Sequence, residues 1–64
     1  MISVTKLNDK EITINNDLIE MIESTPDTTI TMNTGRKIIV REPVEEIVKR
    51  IIDFRKNVTN PYAT

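Results

Sequence analysis

Asp17-Leu18-Ile19-Glu20-Met21-Ile22-Glu23-Ser24-Thr25-Pro26-Asp27-Thr28-Thr29-Ile30-Thr31-Met32-Asn33-Thr34-Gly35-Arg36-Lys37-Ile38-Ile39-Val40 is the stretch whose reading decides the fold. Pro26 presets φ for the second position of a turn and Asp27 can hydrogen-bond nearby backbone, so the chain reverses direction there. Leu18, Met21 and Ile22 would fit a helical stripe with Asp17 as N-cap, while Ile19 and Met21 alternate with their neighbours as a strand would. Length decides between the two. A short segment ending at a proline-containing turn makes a poor isolated helix and an ordinary strand. Leu18 to Ser24 is therefore read as a strand paired with Thr28 to Met32, preceded by a helical turn at Asn16. Asn33-Thr34-Gly35 separates that strand from Arg36-Lys37-Ile38-Ile39-Val40, and Gly35 supplies the positive φ that a short hairpin loop demands. The three strands form a meander.

On the N-terminal side, Ile2 and Val4 alternate with Ser3 and Thr5, and Ile12 and Ile14 alternate with Glu11 and Thr13, the period-two pattern of half-buried strands. Asn8 and Asp9 tolerate left-handed backbone and form the tight turn between them. The prediction is a small α+β domain: a mostly antiparallel, strongly twisted five-stranded sheet, able to curl toward a half-barrel, followed by one C-terminal helix. Pro43 suits a first helical position, Glu45 and Glu46 favour the positive N-terminal end, and the helix should run from about residue 43 to residue 57. At 100° per residue, Val44, Ile47, Val48, Ile51, Ile52, Phe54 and Val58 sweep an arc of roughly 160°, wider than a coiled-coil seam. Residues 1–58 read as one domain and residues 59–64 as a flexible tail without pattern.

The chain has 64 residues, no cysteine and no histidine. That allows one small core and removes disulfides, thiol nucleophiles, imidazole bases and the usual zinc ligands together. Glu20 with Glu23 and Glu45 with Glu46 offer paired carboxylates, yet no other hard ligands cluster beside them, and no cofactor, small-molecule substrate or catalytic residue is expected. Met21 and Met32 read as core fillers. Nine basic and ten acidic residues leave a formal charge of −1, so no global field attracts phosphate backbones or anionic lipid. No apolar run approaches the roughly 20 residues of a membrane span, and the default expectation is a soluble cytoplasmic protein without membrane insertion.

Met1 to Asn8, Glu11-Ile12-Thr13-Ile14-Asn15, Asp17-Leu18-Ile19-Glu20, Ile22 to Thr28, and Thr34-Gly35-Arg36-Lys37-Ile38-Ile39-Val40 together resemble the FlbD/SwrD family, and the likeness extends through Glu45-Glu46-Ile47-Val48 toward Arg55. This resemblance implies a short bacterial protein, encoded among flagellar genes and linked to swarming motility through the power of the flagellar motor. It transfers a process and no catalytic site. It also makes the stator or other cytoplasmic motor parts natural partners. Two departures stand out: Asp9 occupies the place expected for glycine in the first turn, and the tail after Arg55 has no family pattern. A second likeness, from Asp17 through Val40 and the helix, is similar to the latter part of LytTR DNA-binding domains and suggests nucleic-acid contact. The chain lacks the basic excess for that role, which leaves a small nucleic-acid-binding regulator of flagellar expression as the alternative.

Arg36, Lys37 and Arg41 make the last strand basic, and Lys49, Arg50, Arg55 and Lys56 do the same for the helix. They form either a docking patch for an anionic partner or a solvated surface that deters edge-to-edge aggregation. A helix covering a small sheet buries about a 100° stripe, so Ile52 or Phe54 is left for self-association. Asn8, Asp9, Pro26, Asp27 and Gly35 are read as structural turn residues.

Overall fold

The computed structural model describes residues 1–59. Strands β1 (Ile2–Thr5) and β2 (Glu11–Ile14) form a hairpin, and a single 3₁₀ turn at Asn16–Leu18 leads into β3 (Ile19–Glu23), β4 (Thr28–Met32) and β5 (Lys37–Val40), before helix α1 (Val44–Thr59). Every strand pair is antiparallel. The helical turn expected at Asn16 is present, held by the Asn15 side chain accepting from the Asp17 amide at 3.0 Å. Pro43 precedes α1 instead of starting it: its carbonyl accepts from the Glu46 and Ile47 amides, the position of an N-cap residue. Helix α1 includes Thr59, the first residue assigned to the expected tail, and the others, 60–64, lie outside the described residues.

The two hairpin loops are built alike. The Lys6 amide donates to the Lys10 carbonyl and the Asp9 amide to the Lys6 carbonyl; in the second loop Met32 pairs with Arg36 and the Gly35 amide donates to Met32 in the same way. Each is a three-residue loop ending in a left-handed residue, Asp9 at φ 68° and Gly35 at φ 90°. Asp9 thus adopts the conformation for which glycine was expected. A Cβ added to Gly35 would meet nothing within 4 Å, so substitution there costs only backbone conformation. Gly35→Ala is expected to lower stability by about 1 kcal/mol and Gly35→Asn by clearly less, as measured by urea unfolding.

The expectation of one five-stranded sheet curling toward a half-barrel is corrected: β1–β2 and β3–β4–β5 are separate sheets, joined among the described residues by one isolated bridge between Lys6 and Val40. The Arg41 amide donates to the Thr5 carbonyl at 2.8 Å, but the Thr5 amide turns to the Glu42 carboxylate, at 2.9 and 3.1 Å from its two oxygens. With that donor taken and Pro43 following, the β1–β5 ladder stops after one rung.

The core lies between the two sheets and the helix. Ile2, Val4 and Ile14 from the first sheet meet Ile30, Met32 and Val40 from the second, with Ile47 of α1 fully buried among them. Register shifts between Ile19 and Met21, which places Glu20 as an extra residue in β3. Ile19 and Ile22 consequently both pack on the core, whereas Met21 is 46% exposed. Of the two methionines expected inside, only Met32 is there.

Candidate protein-binding groove

Period-two alternation in β5 sends Ile38 and Val40 toward the core and Lys37 and Ile39 to the opposite face. Beyond the Lys6–Val40 bridge the first hairpin and β5 diverge, leaving an open groove of about 480 Å³. Lys6, Leu7, Asn8 and Ile12 line it from the hairpin, and Arg36, Lys37, Ile38 and Ile39 from β5. Leu7 and Ile39 are 44% and 45% exposed, so two large apolar side chains stand in the groove uncovered.

The main-chain groups of β5 are divided between its two sides. Met32 bonds to Arg36 across the hairpin loop, and alternation from there gives Ile38 and Val40 to β4. Lys37, Ile39 and Arg41 face the other way, as the Arg41 amide shows by bonding to Thr5. The groove therefore has an open strand edge as one wall.

The structure brings Arg36 and Lys37 together and adds Lys6, which the sequence reading did not single out. Arg41 does not join them. Its Nε lies 2.7 Å from Asp9 Oδ1 and its Nη2 donates to the Leu7 carbonyl at 2.6 Å, so it fastens the first loop to the end of β5. Asp9 is thereby both the left-handed residue of that loop and the counter-ion of Arg41. The sign available in the sequence was Leu7, an apolar residue inside a turn.

The helical cations divide as well. Arg50 sits between three groups: Nε 3.1 Å from Glu46 Oε1, Nη1 2.7 Å from the Ser3 carbonyl and 3.3 Å from Glu42 Oε2. It links α1 to β1 and is no part of the groove. Burial pushes the Glu42 carboxyl up, but the Thr5 amide and the Arg50 guanidinium outweigh it and hold the group below the usual glutamate value. Ile47, Ile51 and Phe54 turn to the core, which moves Phe54 out of the surface role expected for it. Among the described side chains, Val48 and Ile52, one turn apart, are the large apolar pair exposed on the helix surface, at 42% and 48%.

Pro26 and Asp27 lie in the loop between β3 and β4, where the chain reverses as expected, and the Thr25–Pro26 bond is cis. Among the described residues no three acidic side chains converge as metal ligands would, and no helix is long and apolar enough to cross a membrane. A model of the FlbD family, described as flagellar and swarming motility proteins, matches residues 1–59 of the chain. No curated protein and no solved structure matches it.

Proposed function

Because this chain belongs to the FlbD family of flagellar and swarming motility proteins, we propose that it is a non-enzymatic accessory protein that promotes flagellar motor function through protein contacts in the cytoplasm. The family match over residues 1–59 carries the process. Support for a contact role comes from the basic, apolar groove beside an open strand edge, a feature suited to recognition more than to chemistry. Stator or other cytoplasmic motor parts are the partners proposed. Self-association belongs to the same reading, with Val48 and Ile52 as the face for a second copy.

The test is a deletion in a swarming host, scored for torque on tethered cells, flagellar number and flagellar transcripts. The expected result is a clear fall in torque at unchanged flagellar number, restored by the intact chain. Normal torque, with fewer flagella or altered transcripts, would reject the motor reading in favour of control of expression.

A further inference from the structure

Resting on the reading that the chain acts through protein contacts, we propose that the groove takes an extended acidic segment of a partner protein, added as a strand to the open edge of β5. Three independent features meet there. The first is hydrogen bonding: Lys37, and Ile39 through its N–H, face the groove, and beyond the Lys6–Val40 bridge and the Arg41 contacts beside it no backbone hydrogen bond joins β5 to the first hairpin among the described residues. An unpaired edge of this kind is a template for an incoming strand.

The second is charge. Lys6, Arg36 and Lys37 line the groove and, among the described residues, no acidic one does. None of the three is in an ion pair among the described residues. The nearby acid Asp9 is occupied by Arg41. On a chain whose formal charge is −1, this is a local excess of positive charge with complementarity to an acidic guest.

The third is the apolar lining. Ile12 and Ile38, which pack toward the core, offer a surface for every second side chain of a strand, while the alternate, acidic side chains share the opposite face of β5 with Lys37 and Ile39. That lining argues against nucleic acid, since among the described residues no aromatic side chain lines the groove for a base to stack on. It also distinguishes the guest from a second copy of this chain. The acidic edge strand available in a copy is β3, whose extra residue Glu20 breaks the ladder that edge pairing needs.

The experiment is an NMR titration of the ¹⁵N-labelled chain with a capped hexapeptide of alternating glutamate and valine. A peptide with lysine in place of glutamate is the control. The expected result is shifts and slowed exchange at the Lys37 and Ile39 amides, with binding that weakens as salt rises. Arg36→Glu with Lys37→Glu should weaken binding on the order of tenfold. Ile39→Pro should weaken it too, because it removes a groove-facing N–H while leaving the β4 ladder and every charge in place. Thermal melts of both variants check folding, and the charge-reversal pair decides the matter if Ile39→Pro does not fold.

Equal binding of the lysine peptide, shifts confined to another surface, or no binding would overturn the proposal. So would association of the protein alone, seen by ultracentrifugation, that protects the same two amides. A torque defect on deletion combined with absent peptide binding overturns the groove and leaves the motor reading standing. Peptide binding as expected with normal torque on deletion supports the groove and removes the motor reading.

Discussion

Ile47→Ala is expected to leave the chain close to the midpoint of unfolding at room temperature. Ile47 is fully buried where the helix meets both sheets, among Ile2, Val4, Ile30 and Val40. Removing a buried isoleucine down to its β-carbon costs about 2–5 kcal/mol, through lost transfer energy and the cavity left behind. A domain of this length has a total stability of about 3–10 kcal/mol at the usual 0.05–0.15 kcal/mol per residue. One substitution therefore takes most of it. Ile47→Val should cost about 0.5–1.5 kcal/mol, giving a graded series. Ile52→Ala on the same helix is the control: its side chain is 48% exposed, and the change should stay within about 0.5 kcal/mol. Urea unfolding followed by far-UV circular dichroism measures all three. Equal losses at 47 and 52 would show that α1 is docked by a different face.

Glu42→Gln is the second large effect, and it carries a pH signature. The carboxylate accepts the Thr5 amide through both oxygens and receives Arg50, whose other bonds reach Glu46 and the Ser3 carbonyl. Glutamine keeps the size but presents one acceptor and a donor to a site made of donors. Leaving such groups unsatisfied costs about 1–3 kcal/mol, and each kcal/mol moves the melting temperature by about 4–8 °C in a domain of this size.

The folded Glu42 carboxyl sits below its usual value, so the folded state binds this proton less readily than the unfolded chain does. Its contribution is complete above the unfolded value of about 4.3 and is lost as pH falls through the lower, folded value. The gap in melting temperature between the native chain and Glu42→Gln should be constant from neutral pH down to about pH 5, then narrow in more acid solution. A gap that stayed constant through the acid range would show that the ionised carboxylate is not what holds β1 to the helix.

Strand, turn and helix positions were legible because each is written in neighbouring residues. Alternation in Ile2–Thr5 and Glu11–Ile14 marked the first hairpin, Gly35 the second loop, and Pro43 with Glu45 and Glu46 the start of α1. The basic character of Arg36 and Lys37 was legible too, and so was an apolar surplus on the helix. The rest was decided by contacts between residues far apart in the chain. Glu42 takes the Thr5 amide from 37 positions away and so splits the expected single sheet into two. An extra residue at Glu20 turns Met21 outward, a shift that alternation alone does not reveal. Arg41 is claimed by Asp9 and the Leu7 carbonyl, while Lys6 is left beside Arg36 and Lys37. Local periodicity and turn chemistry act over a few residues and are carried by the sequence itself. Which backbone donors remain for a second ladder, and which cations remain unpaired, is settled only when the two sheets and the helix close on one core, and that competition shapes the groove.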